Sequence, residues 1–361
     1  MDAETLELAI IGAGAAGLHA ARAAADGGIG FEIFDDHERV GDEWRQRYRS
    51  LRLFTPRRWL DLPGMHIDIG FFEYPTADQL ADYLERYASA NGFAVRTSTR
   101  VVRLTRHASG HFLLELSGGG EVTARQVIVA TGAHHIPVVP AFAEQLDPRI
   151  RQIHSLDYRD ADDLAPGPVL VVGAGNSGTD IALEAVAAGH ATTISGRVPG
   201  QVPGRIDTPI GNLIAGVAIR RLRGLTMDTA RGRRFRAEHA GHGVNLVRNH
   251  IGDLTRAGVR HVGRIESVRE GAPALADGEL IESSTIVWCT GSRPRLHWID
   301  IPAAFGPDGM PAHERGVATA VPGLGFVGLP FLYSVASPTL MGMGRDARHL
   351  IEHLGAALVP A

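Results

Sequence analysis

Two glycine turns of identical spacing, each entered by an apolar run and left by a small-residue helical pattern, predict an α/β chain of two Rossmann-like dinucleotide-binding domains. The first is Gly12-Ala13-Gly14-Ala15-Ala16-Gly17 and the second Gly173-Ala174-Gly175-Asn176-Ser177-Gly178. A third observation is their distance from a closing strand. Gly12 to Thr131 spans 119 residues and Gly173 to Thr290 spans 117, and both strands end in Thr-Gly. One plan is used twice. The expected division is a first domain from residues 1–160 and 289–361, with residues 161–288 inserted as the second.

At 361 residues with 44% hydrophobic content, the chain can bury two cores. A net charge of −4 gives no global field for nucleic acid or an anionic membrane. Met1 to Glu4 is acidic, and no apolar run reaches the ~18 residues that span a bilayer. The expectation is a cytoplasmic protein with no nucleic-acid or membrane partner. Cys289 is the single cysteine, so no disulfide or redox pair can form within the chain, which argues against a thiol-dependent disulfide reductase. Its place after Ile286-Val287-Trp288 reads as a small buried residue.

In the first unit, Leu6, Leu8, Ile10 and Ile11 form the entering strand. Gly12 permits the tight turn, Gly14 lets a pyrophosphate approach the backbone, and Gly17 lets the helix pack on the strand. Ala15 and Ala16 open that helix, whose free N–H groups and dipole favour phosphate. Phe31 to Phe34 is the second strand. It runs into Asp35 and Asp36, 18 and 19 residues after Gly17, where a carboxylate accepts from ribose hydroxyls; Asp35 is favoured and Asp36 is its solvated neighbour. In the polar loop from Gly41 to Ser50, Trp44 either covers a cofactor ring or wedges beneath the loop. Thr76 is the natural N-cap of a helix whose Leu80, Tyr83, Leu84 and Tyr87 share one face. Short strands follow at Val101 to Leu104, carrying the candidate cofactor contact Val102, and at Phe112 to Leu116. The strand from Val127 ends at Thr131 and Gly132, small enough to lie against a cofactor.

In the second unit, Pro166-Gly167-Pro168 marks a linker, Val169 to Val172 enters the glycine turn, and Ala191 to Ser195 is the second strand. No carboxylate follows it. Eighteen and nineteen residues after Gly178 stand Gly196 and Arg197. An acid would repel a 2′-phosphate, whereas the Arg197 guanidinium can bind one bidentately and Ser195 can donate to it. The first site is therefore expected to take FAD and the second NADPH. The arginines from Arg220 to Arg236 read as a solvated helical face, and His239, His242, His250 and His261 lack metal-ligand spacing, so no metal is expected. Pro338 to Asp346 opens a last helix whose N-terminus, with Met341, faces a flavin pyrimidine in this reading.

These residues resemble the flavin-containing monooxygenases, in particular the single-component group with the plant auxin-forming enzymes and bacterial relatives. The similarity spans nearly the whole length. It rests on Gly12 to Gly17, Gly41 to Trp44, Tyr74-Pro75-Thr76, Ala130-Thr131-Gly132, Gly173 to Gly178 and Cys289-Thr290-Gly291. Of the family fingerprint between the nucleotide sites, His154 and Tyr158 match the His and the final Tyr or Phe, while Pro148 and Ile150 stand at its Phe and Gly positions. Phe54 and Thr55 occupy the stretch where many members carry an Asn near the flavin, which makes them the candidate catalytic pair.

The resemblance implies hydride transfer from NADPH to flavin N5, addition of O2 at C4a, and donation of one oxygen by the hydroperoxide to a nitrogen, sulfur or carbonyl centre of a small substrate. The alternatives are an NADPH-dependent flavin reductase serving a quinone or another acceptor, and a non-enzymatic dinucleotide sensor. The expected partners are a small-molecule substrate and O2, with a homodimer as the candidate assembly.

Overall fold

The computed structural model describes residues 5–204, 208–239 and 244–356; Met1 to Glu4 and His242 lie outside them. The first unit begins with β1 (Leu6–Ile11), α1 (Ala15–Asp26) and β2 (Phe31–Phe34). After a long loop come α2 (Ala77–Ala90), β3 (Val95–Arg96), β4 (Val101–Arg106), β5 (Phe112–Leu116) and β6 (Glu121–Val129). Strand β7 (Arg151–His154) precedes the second unit, which holds β8 (Val169–Val172), α3 (Asn176–Ala187) and β9 (Thr192–Ser195). A helical segment follows, with α4 (Pro209–Gly224), α5 (Ala230–His239) and α6 (Ile251–Ala257). The unit continues through β10 (Arg260–Val262), the β11 (Ile265–Arg269) and β12 (Ala272–Leu275) hairpin, and β13 (Thr285–Trp288). The chain then returns through β14 (His313–Glu314), β15 (Val317–Ala318), β16 (Leu324–Phe326) and α7 (Leu340–Ala356).

Hydrogen bonding sorts the strands into two principal sheets. The first runs β14-β15-β16-β6-β1-β2-β3, with the β4–β5 hairpin attached to β6. The second runs β10-β9-β8-β13-β7 and is parallel throughout. Strand β1 is central and covered on both faces: Leu8 and Ile10 enter one core, Ala9 and Ile11 the other. That double burial explains why β1 reads as a continuous apolar run rather than an alternating one. Strand β7 falls before the boundary expected at residue 160, yet it pairs with β13 in the second sheet, Val287 opposite Ile153. Helix α3 begins at Asn176, earlier than its apolar pattern, because Asn, Ser and Gly in its first turn carry no apolar period.

Thr76 caps α2 as expected. Its hydroxyl accepts from the Gln79 amide at 3.1 Å while the Gln79 side chain accepts from the Thr76 amide at 2.9 Å, a reciprocal capping box. Helix α1 is almost entirely buried because α7 lies along it. Gly344 of α7 lies against His19 of α1, and Ile351 lies against Gly27 at the α1 C-cap. Those contacts advance together along both helices, so α1 and α7 run parallel and their N-termini share one end.

Candidate nucleotide-binding sites

Each glycine turn sits at the carboxyl end of a central parallel strand, and the two are built alike. Gly12 has φ +106°, and a Cβ there would come within 2.7 Å of the Ala130 carbonyl oxygen. Gly173 has φ +115° and meets the Cys289 carbonyl in the same way. A Cβ on Gly17 would overlap the Gly12 oxygen, and one on Gly178 the Gly173 oxygen. Around Gly175 there is open space within 4 Å, and at Gly14 the nearest atom is a Glu43 carboxylate oxygen at 3.7 Å. The outer two glycines therefore close each turn on its own sheet, and the middle one leaves room for a ligand. Gly14 and Gly175 are the N-caps of α1 and α3, and neither helix start has a side-chain cap. The amides of Ala15, Ala16 and Gly17, and of Asn176, Ser177 and Gly178, have no intrahelical acceptor, the arrangement that suits an anion at a helix N-terminus.

Cys289 stands where Ala130 stands in the first unit, behind the turn. Burial pushes its thiol up to about 12, so it is not a thiolate at neutral pH.

A cleft at the first turn is lined by Gly12, Gly14, Asp35, Asp36, Thr131 and Glu43, among others. The Asp35 carboxylate accepts from the Ala13 amide at 2.6 Å and from the His37 amide at 2.9 Å, which clamps the second strand to the turn. Lone pairs remain on both oxygens for a ribose. Asp36 faces outward and pairs with Arg100 at 3.0 Å. His37 contacts both carboxylates, and the hydrogen bond that its ring donates to Asp35 raises its pKa. Three potential metal-ligand atoms thus fall within 4.8 Å of one another, each already engaged in ion pairing. The Thr131 hydroxyl is buried without a partner and borders the cleft, and Gly132 has φ +85° with open space around it.

Val101, not Val102, lines the cleft; Val102 is 43% exposed, because neighbours on a strand point to opposite faces. Trp44 packs against the first core while Glu43 reaches the cleft, so the wedge reading is the one observed. The loop is pressed down by Gly41, whose φ is +90° and whose Cβ would overlap the Ala81 backbone. His135, which reads in sequence as a structural or solvent-facing residue of the loop after Gly132, also lines the cleft, and so do Arg295 and Trp298, which no motif marks. They are brought there by the short pairing of Ile136–Pro137 with Ser292–Arg293, two-residue strands too brief to leave a periodic signal.

At the second turn, Ser195 is fully buried. Its hydroxyl donates to the Gly263 carbonyl at 2.7 Å and accepts from the Ile265 amide at 3.2 Å, so it fastens β9 to the neighbouring strand and has no donor left for a phosphate. Arg197 is exposed just past β9, and Arg264 is exposed just past the parallel β10, at the same edge. The Asn176 side chain is occupied with the Val244, Asn245 and Val247 backbone, leaving only its amide for a ligand. Ser177 hydrogen-bonds Tyr48 of the first unit.

His154 is buried. Its Nε2 donates to the Gly291 carbonyl at 3.0 Å and its Nδ1 accepts from the Leu156 amide at 3.2 Å, the neutral ring that burial favours. It ties β7 to the Thr290-Gly291 turn. Tyr158 is fully buried beside Tyr48, ring centroids 6.5 Å apart. Thr55 is buried and Phe54 exposed, in a loop joined to the second unit where the Arg248 guanidinium donates to the Arg52 carbonyl at 2.9 Å. Met341 lies in the first turn of α7, whose N-terminus shares the α1 end and hence the first turn.

Among the described residues no helix is long and apolar enough to cross a membrane. The sequence profile described as pyridine nucleotide-disulphide oxidoreductase matches residues 9–209. An uncharacterised CzcO-like oxidoreductase of Geobacillus kaustophilus is 32% identical over 356 residues, 97% of this chain and 98% of its own. An indole-3-pyruvate monooxygenase of Oryza sativa subsp. japonica is 34% identical over 177 residues, 48% of this chain and 44% of its own. A solved flavin-containing monooxygenase from Stenotrophomonas maltophilia is 25% identical, with TM-score 0.79 over 99% of this chain and 100% of that one. The resemblance to flavin monooxygenases read from the motifs is thereby borne out. This chain is an oxidoreductase and belongs to the pyridine nucleotide-disulphide oxidoreductase family.

Proposed function

We propose that the protein is an NADPH-dependent FAD monooxygenase that transfers one oxygen atom of O2 to a nitrogen, sulfur or carbonyl centre of a small organic substrate. The observation that carries this reading is two dinucleotide cradles in one chain whose single cysteine is half-buried with its thiol held protonated. Electrons entering from a nicotinamide have no cysteine pair to receive them. When bound, the flavin accepts the hydride and supplies the chemistry that activates oxygen. The chain's own residues bind and orient. Ala15, Ala16 and Gly17 offer amides to the FAD pyrophosphate, Asp35 accepts from the ribose, and the unpartnered Thr131 hydroxyl meets the cofactor edge. The α7 N-terminus beside Met341 favours negative charge on the reduced ring. Arg197 takes the 2′-phosphate of NADPH.

In this assignment residues 1–160 and 289–361 hold FAD and residues 161–288 hold NADPH, with β7 contributing its hydrogen bonds to the second sheet. Phe54 and Thr55 border the reaction space and exclude water from it.

A second reading, electron transfer to a quinone or other acceptor without oxygen insertion, is favoured by Phe54 and Thr55 standing where the resemblance to flavin-containing monooxygenases implies an Asn. Stopped-flow mixing of reduced, NADP+-bound enzyme with O2 separates the two. A delayed return of oxidised-flavin absorbance, with oxygenated product formed in proportion to NADPH consumed, supports monooxygenation. Immediate return without oxygenated product supports the reductase.

A further inference from the structure

The chain's net charge of −4 conceals an uneven distribution. Residues 208–239 hold seven arginines against two carboxylates, Asp228 and Glu238. Within that segment α4 exposes apolar side chains that a solvated helix would bury: Leu213 is 69% exposed and Val217 is 44% exposed. They are four residues apart and share a face, and Arg220 and Arg221, one further turn along, continue it. A second apolar element stands beside them. Phe71 and Phe72 are each 54% exposed and pack edge to face, ring centroids 5.1 Å apart. The Arg58 guanidinium covers the Phe72 ring at 5.1 Å, and its Nη2 lies 3.1 Å from where Gly216 would carry a Cβ. Gly216 flanks the face of Leu213 and Val217, so Arg58, touching both segments, brings four large exposed apolar side chains onto one side of the molecule.

We propose that this surface docks peripherally on an anionic lipid bilayer. Phe71, Phe72, Leu213 and Val217 sit at the boundary of headgroups and acyl chains, with Arg220 and Arg221 among the lipid phosphates. A helix with an arginine-bearing polar end and an exposed apolar face matches what an interface between water and anionic lipid selects. Charge complementarity decides among occupants. A second copy of the same face would bring arginine rims together, and a nucleic acid would leave the aliphatic side chains without a partner. Docking of this kind needs no spanning segment and is independent of the flavin chemistry.

The test is flotation of the purified full chain with phosphatidylcholine vesicles, either pure or containing roughly a third phosphatidylserine. Binding is expected only with phosphatidylserine, weakening steeply as salt shortens the screening length. Leu213→Asp combined with Val217→Asp changes exposed positions only and leaves thermal unfolding unchanged, yet weakens vesicle binding by roughly tenfold or more. Arg220→Glu combined with Arg221→Glu abolishes it. Failure to float with anionic vesicles overturns the proposal. So does full binding by the Leu213/Val217 variant, equal competition by duplex DNA at matched phosphate, or a dimer that this variant disrupts in the absence of lipid affinity.

Discussion

The Tyr48 hydroxyl donates to a carboxylate oxygen of Asp180 at 3.0 Å, joining a loop of the first unit to the helix that opens the second glycine turn. Tyr48 is 4% exposed, and Asn249 and Arg248 complete the shell around the same carboxylate. Burial raises the Asp180 pKa against the opposing pull of Arg248 and the two hydrogen bonds. The contact fixes how the two nucleotide cradles face each other, and Ser50 adds a parallel tie to Glu184 at 2.6 Å.

Removing the hydroxyl therefore tests domain registration directly. Tyr48→Phe keeps the ring against Tyr158 but leaves Asp180 one donor short, at an expected cost of about 1–2 kcal/mol in urea unfolding. Flavin content should be unchanged while reduction by NADPH slows, since hydride transfer depends on alignment between domains. A variant with wild-type stability and reduction rate would show that the contact carries neither role.

The two turns should be separable by identical substitutions. Gly17→Ala places a methyl on the Gly12 oxygen and forces α1 off its strand, so the protein should purify without flavin. Gly178→Ala does the same to α3 and should leave a yellow protein, reducible by dithionite but slower with NADPH by about a hundredfold. An absorption spectrum and one stopped-flow trace per variant decide it. A colourless Gly178→Ala protein would place flavin in the wrong unit.

The strands, the glycine turns and the α2 cap were legible because each is written in local pattern: an apolar run into Gly12 or Gly173, and Thr76 three residues before Gln79. Ser195 was misread because its sequence position is right for a phosphate contact while its χ rotamer turns it to Gly263, a choice made by the neighbouring strand 68 residues away. The Val102 side chain points away from the cleft that Val101 lines, the one-residue difference that turns a strand side chain to the opposite face. Arg295 and Trp298 could not be found from pattern, and His135 read as a structural or solvent-facing loop residue. They meet only because Ile136–Pro137 pairs with Ser292–Arg293, first-domain segments that lie on either side of the inserted second domain in sequence.

With Ser195 turned inward, discrimination between the two nicotinamide coenzymes rests on the arginines past β9 and β10. Arg197→Ala should lower kcat/KM for NADPH by roughly 30- to 150-fold, the loss of a charge-assisted pair worth about 2–3 kcal/mol, and leave NADH turnover almost unchanged. Arg264→Ala should give a smaller change in the same direction, because β10 lies one strand farther from the turn. Steady-state kinetics with both coenzymes checks this; an unaltered NADPH preference in the Arg197 variant would remove that residue from the site.

His19 sets an acid limit on stability that belongs to the α1–α7 contact. Its ring is buried against Gly344 with Nε2 unpartnered, and burial, reinforced by Arg348, lowers its pKa to about 4 from the ordinary 6.5. Above pH 6.5 the ring is neutral in both folded and unfolded chains, and folding is unaffected by it. As pH falls from 6.5 toward 4 the unfolded chain takes up a proton that the folded chain refuses, so stability declines through that window and by no more below it. The shift corresponds to about 3 kcal/mol. His19→Leu removes the titration while filling the same space, so the difference in urea-unfolding free energy between variant and parent should grow by about that amount between pH 7 and pH 4. Parallel pH profiles for the two proteins would mean that the ring reaches solvent or finds a partner on protonation.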